Sequence, residues 1–260
     1  MASVTTETRG RTRLIRYGNP PRHYMTAEGS IKLAEAIGDA AGDDGIRAIV
    51  LTGTDDVFVR HFDVSEIVQA GKGVAAGALQ KQNFETGPFV ALQDACFNAP
   101  KPVICAINGT CMGGGFEIAL ASDLRIADST VTQIGLPETR LSIFPGGGGT
   151  QRLPRVIGEA AALDFILRGR VVDAAQALSM GLVHETAPDA LARALEVAAE
   201  FEARGAAGVA MAKSLVRNAL SRPIEDGLMA ERHGFFDVLK TEDAMAAMRT
   251  FLETGEDITA

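Results

Sequence analysis

Asn108-Gly109-Thr110-Cys111-Met112-Gly113-Gly114-Gly115-Phe116-Glu117-Ile118-Ala119-Leu120 is the stretch on which the reading of this chain turns. The apolar run Val103 to Ile107 ahead of it has the character of a strand buried on both faces. Three glycines follow, and the segment after them is helix-forming. Glycine lets a backbone approach a ligand closely and adopt unusual dihedrals. The unpaired N–H groups at a helix start, aided by the helix dipole, then face that ligand with positive potential. An oxyanion or a phosphate suits such a turn. The run lacks the Gly-Lys-Ser/Thr of a P-loop and is not GxGxxG. A close strand–helix contact would explain the glycines equally well, so the run alone does not decide a function.

The neighbouring carboxylates sharpen it. Glu117 lies two residues past the last glycine, in a first turn where acidic side chains are favoured by about 0.3–1 kcal/mol in any helix. A second carboxylate stands in Leu136-Pro137-Glu138. Then comes Pro145-Gly146-Gly147-Gly148-Gly149-Thr150-Gln151-Arg152-Leu153-Pro154-Arg155, a tight turn opening another helix. One glycine loop is weak evidence, but this ordered set of three motifs is specific.

Working outward, Arg11 to Tyr17 alternates basic and apolar residues and predicts an early strand. Asn19-Pro20-Pro21 is a break, and Ile31, Ala34, Ile37 and Ala41 mark a helix over Ala27 to Ala41. Ala48 to Leu51 and Leu124 to Ala127 read as further buried strands, and Phe89 to Ala99 as a helix stopped by Pro100 and Pro102. This alternation predicts an α/β core. Beyond about Gly158 the texture turns helical: Ala160–Leu167, Ala174–Met180, Ala190–Arg204, Gly208–Leu220, Ile224–Leu239 and Asp243–Phe251, with a strand signal only near Leu182-Val183. No fixed sequence repeat is visible, which argues against a solenoid of sequence repeats.

The chain has 260 residues, 47% hydrophobic and 22% charged, an ordinary globular balance with room for a large core. Its net charge of −8 argues against a general binder of nucleic acid or anionic membrane, while leaving a local cationic patch for an anionic small molecule. Cys96, Cys105 and Cys111 suit buried thiols in a reducing cytoplasm better than a disulfide framework, and no Cys/His cluster has metal-ligand spacing. Met1 to Arg13 is polar, without a secretory pattern, and no run reaches the length of a membrane span. With no Trp and two Tyr, a base-stacking platform is not expected. A Ser-His-Asp hydrolase is disfavoured, since G-x-S-x-G is absent.

The ordered motifs resemble the crotonase (enoyl-CoA hydratase/isomerase) superfamily, from about Arg11 to Phe251 and most densely from Lys101 to Gly158. The resemblance implies an α/β fold: a crotonase-like spiral of ββα turns over residues 1–195 and a helical C-terminal trimerisation region over 196–260. It also implies homotrimers, often paired into hexamers. The activity it implies is syn addition of water to a 2-enoyl-CoA through an enolate, in fatty acid metabolism, with no cofactor beyond the coenzyme A of the thioester and no metal. The oxyanion hole would be the backbone N–H groups of Gly114 and Phe62. Glu117 would hold and deprotonate water, and Glu138 would protonate the α-carbon. Arg22, Arg60, His61, Asp63 and Gly113 would border the substrate and its coenzyme A. The helix start is expected to favour ionised Glu117, and burial behind Pro137 to favour protonated Glu138.

Two departures from the family pattern stand out. The first oxyanion loop, usually F-x-A-G-A-D, is Phe58-Val59-Arg60-His61-Phe62-Asp63. Arg60 and His61 form either a solvated loop tip or a contact with an anionic ligand, with His61 able to take a proton near neutral pH. The last ten residues hold Glu253, Glu256 and Asp257 and no Lys or Arg, where many relatives place cations. Arg22 is the substitute expected for the 3′-phosphate. These departures keep two rivals open: a C–C hydrolase of a β-diketone that is not a CoA ester, and a non-catalytic RNA-binding or scaffolding relative.

Overall fold

Alternation inside the apolar runs sets the architecture, seen in a computed structural model that describes residues 1–255. The strands are β1 Ser3–Arg9, β2 Thr12–Gly18, β3 Ala48–Gly53, β4 Val57–Val59, β5 Val103–Ile107, β6 Thr110–Met112, β7 Leu124–Asp128, β8 Ile134–Gly135, β9 Val171–Val172 and β10 Glu185–Ala187. One sheet runs β1-β2-β3-β5-β7-β10 and a second runs β4-β6-β8-β9. The first sheet is parallel apart from the β1–β2 hairpin.

The helices are α1 Ala27–Gly42, α2 Val64–Ala75, α3 Lys81–Glu85, α4 Pro88–Asn98, α5 Gly114–Ala121, α6 Gly149–Ile157, α7 Glu159–Leu167, α8 Ala174–Ser179, α9 Ala190–Ala199, α10 Ala206–Asn218, α11 Ile224–Val238 and α12 Glu242–Thr254. Val103, Cys105 and Ile107 of β5 enter the larger core with α1, α4 and α5, while Ile104 and Ala106 pack with Ala190, Ala194 and Val197 of α9. A parallel sheet covered on both faces reads as unbroken apolar runs, as these strands do.

Three times in succession a strand of the first sheet leads into a short strand of the second and then a helical turn. The units are β3-β4-α2, β5-β6-α5, and β7-β8 with a 3₁₀ turn over Glu138–Leu141. β3, β5 and β7 pair in parallel, as do β4, β6 and β8. This is the crotonase spiral. Its repeat is structural rather than textual, because α3 and α4 are inserted between the first and second units.

Several elements differ from the sequence reading. β1 is an additional, mostly exposed edge strand, and α2 has no buried residue. Leu182 and Val183 are buried coil ahead of β10 rather than strand. α9 stops at Ala199 rather than near Arg204, spans the expected 195/196 boundary, and keeps Val197 and Ala198 in the core. No helix among the described residues is long and apolar enough to cross a membrane. Of the acidic tail, Glu253 ends within α12, whereas Glu256 and Asp257 lie outside the described residues.

Candidate active site

The first glycine run closes the β6–α5 turn. Gly113 sits at φ 51°, a left-handed value that favours glycine, and a Cβ on Gly115 would collide with the Val59 carbonyl of β4. α5 is thereby pulled against β4, whose chain continues into the loop carrying Phe62. A Cβ on Gly114 would stand 3.4 Å from Phe62 N. In the bridge between Met25 and Phe62, Met25 N donates to His61 O at 2.8 Å and Asp63 N donates to Met25 O at 2.7 Å. Phe62 N–H is left out of that pairing. Gly114 N–H is the first of its helix, where no intrahelical acceptor exists. Among the described residues neither group has a protein acceptor, so two backbone donors lie side by side.

Glu117, one turn into α5, is buried at 3% exposure. The second glycine turn holds it: Gly147 N and Gly149 N donate to Oε1 at 2.7 and 2.9 Å. Oε2 has no donor among the described residues. Burial raises the carboxyl above its ordinary range, while those two N–H groups and the nearby Arg152 charge pull the other way. The net direction is upward, against the expectation that the helix start favours ionised Glu117; the groups that oppose it are the second glycine turn and Arg152. The sequence reading makes Gly146–Gly149 a tight turn with neighbours that line the acyl pocket, and does not foresee its contact with Glu117. Arg152 Nη1 donates to Gly147 O at 3.0 Å and to Gln93 Oε1 of α4.

Glu138 opens the 3₁₀ turn, with Oε1 3.2 Å from where a Cβ on Gly113 would be. Its Oε2 is buried without a partner. Burial, then the charge of Glu117, pushes its carboxyl from 4.5 up to about 7. Glu138 thus lies at the first glycine turn and Glu117 at the second, near enough for the charge of Glu117 to act on Glu138, and burial favours the protonated form of Glu138.

The remaining expected residues divide. His61 Cβ lies 3.2 Å from the same Gly113 position, and its ring stacks on Tyr24 with centroids 4.3 Å apart. Nδ1 lies 2.7 Å from Phe62 O, and since a carbonyl only accepts, Nδ1 carries the hydrogen. Arg22 is exposed, with its guanidinium 5.9 Å from the Tyr24 ring. Arg60 has a buried Nε without a partner. Asp63 caps α2, its Oδ1 accepting from Ser65 N at 2.8 Å and Ser65 Oγ at 2.7 Å, so one of its two oxygens serves the helix.

Sequence reasoning missed Phe89 and Gln93. Phe89 meets Phe62 edge-on at 5.2 Å and lies against Gly114. The available signal for Gln93 was a polar residue among the buried positions Leu92 and Cys96 of α4. No group of three or more His, Cys, Asp or Glu able to hold a metal ion occurs among the described residues. The three thiols are free and buried, and burial pushes Cys96 and Cys105 up to about 12.

Comparison with known proteins identifies the family. A family model described as enoyl-CoA hydratase/isomerase matches residues 14–258. The chain is 38% identical over 233 residues to the YngF protein of Bacillus subtilis (strain 168), covering 88% of this chain and 86% of that one. It is 34% identical to the mitochondrial methylglutaconyl-CoA hydratase of Rattus norvegicus, covering 85% and 70%. The structure of an enoyl-CoA hydratase from Polaromonas sp. JS666 superposes with TM-score 0.88 at 28% identity, covering 96% of this chain and 97% of that one. On a match spanning nearly its whole length, the chain belongs to the enoyl-CoA hydratase/isomerase family of the crotonase superfamily.

Proposed function

We propose that this chain is a hydro-lyase adding water to the double bond of a 2-enoyl-CoA thioester. The observation that carries the reading is a buried and a half-buried carboxylate, one at each glycine turn and coupled by charge, near two partnerless backbone N–H groups. Water adding to the β-carbon drives the double-bond electrons onto the thioester oxygen. Gly114 N–H and Phe62 N–H receive that charge; losing one such donor typically costs ~10²–10³ in rate. Ionised Glu117 takes a proton from water through Oε2, its other oxygen being held by Gly147 and Gly149. Protonated Glu138 delivers a proton to the α-carbon, and a carboxyl pushed up to about 7 holds that proton near neutrality.

The chemistry in this reading uses protein groups alone, with coenzyme A entering as part of the substrate. Arg22, Arg60 and His61 border its entrance. The C-terminal helices expose Val216, Leu220, Phe235 and Phe236, apolar surface that supports assembly into a homotrimer or hexamer. The Tyr24–His61 stack beside Gly113 favours a second reading, a C–C hydrolase of a non-CoA β-diketone, since the family's small residues would leave that space open. Retention on a CoA-affinity matrix with turnover of crotonyl-CoA is expected of the hydratase. Release from the matrix with cleavage of a β-diketone would replace it by the second reading.

A further inference from the structure

Three side chains meet at the Gly147 α-carbon. The place where a Cβ on Gly147 would stand abuts Phe89 Cε1 and Gln93 Nε2 and lies 2.7 Å from Glu117 Oε2. Gln93 is 4% exposed, and its Nε2 is buried with no acceptor among the described residues. Its Oε1 accepts from Arg152 Nη1. A guanidinium has only donors, so the amide oxygen must face Arg152. That leaves the Nε2 hydrogens on the side of Glu117 Oε2, which has no donor of its own. A buried donor and a carboxylate oxygen, neither partnered by protein, therefore face one small space. A native structure rarely leaves such a donor unpaired without a role for it in the site. A hydroxylic molecule that accepts from one group and donates to the other would satisfy both, and water is the smallest.

We propose that Gln93 is a second holder of the attacking water, and that Arg152 is the positioning residue that fixes its amide face. The proposal rests on the reading of Glu117 as the base. Gln93 Nε2–H donates to the water oxygen while the water donates one hydrogen to Glu117 Oε2. In the reaction that O–H bond breaks, its proton passes to Glu117, and the oxygen's free lone pair forms the C–O bond at the β-carbon. The displaced π electrons move to the thioester oxygen, then return to form the α-carbon C–H bond with the proton from Glu138. Gln93 exchanges no proton; it confines the water to one orientation.

The test measures two reactions on the full chain carrying Gln93→Met. The first is hydration of crotonyl-CoA. The second is exchange of the α-protons of butyryl-CoA with D₂O, which needs Glu138 and the oxyanion donors but no attacking water. Methionine keeps nearly the size while removing the N–H donor, and the exchange reaction, which uses the same fold and the same oxyanion donors, separates loss of packing from loss of the hydrogen bond. Hydration should fall about 10-fold, the upper range of one hydrogen bond between neutral groups, while exchange stays within about threefold. Hydration within about threefold of wild type in the variant overturns the proposal, as does a parallel loss of both reactions. Wild-type protein that performs neither reaction overturns the parent reading and the proposal with it.

Discussion

Replacing Glu138 by Gln should stabilise the protein, by an amount that grows with pH. Glu138 is half-buried, Oε2 has no partner, and the neighbouring Glu117 repels its charge. Its folded-state value of about 7 stands against an ordinary 4.5. At 1.36 kcal/mol per unit that difference is worth about 3 kcal/mol, and residual solvent contact brings it to about 2–3 kcal/mol. The folded state binds this proton more tightly than the unfolded state. Below about pH 4.5 both states are protonated and the group costs nothing; stability is then lost as pH rises, and the full penalty is present above about pH 7. Urea unfolding of both proteins at one protein concentration checks it. The two midpoints should nearly coincide at about pH 4.5, and the variant should lead by about 2–3 kcal/mol at about pH 8. A difference that does not change with pH, or a variant less stable at about pH 8, would refute the claim that Glu138 is held in a site hostile to its charge.

Other consequences can be checked separately. Gly148→Ala places a Cβ against Arg152 Nη1 at φ 97°, so it should cost about 2–3 kcal/mol and lower activity, whereas Gly181→Ala, at φ 74° with open space around it, should cost about 1 kcal/mol and leave activity intact. Thermal melts and a rate assay separate the two. Asp123 accepts from Val103 N and pairs with Lys213 and Arg217 of α10. Asp123→Ala strands two largely buried cations and should destabilise the chain by about 3 kcal/mol in urea titrations.

How far the sequence was legible depends on the range of each signal. β3, β5 and β7 are apolar because helices cover both sheet faces, so composition alone revealed them. β4 and β6 have three residues each, and β8 and β9 two, too few for any periodicity to register. β1 is exposed at nearly every position and has no apolar alternation to betray it; its evidence is its register with β2. Both glutamates were visible because each stands beside a glycine or proline signature. The partners of Glu117 were not, since Gly147 and Gly149 reach it only across the fold. Asp63 shows the reverse case. A local cap signal was present, and the substrate role expected of that residue drew attention away from it.

The account's central claim is that protonated Glu138 and ionised Glu117 add water together. The most direct measurement is kcat/KM for hydration of crotonyl-CoA across pH, in wild type, Glu117→Gln and Glu138→Gln. Wild-type hydration should decline above about pH 7 as Glu138 loses its proton, and each variant should fall by at least about 10²-fold. A wild-type profile flat to about pH 9, or either variant retaining turnover, would contradict the claim.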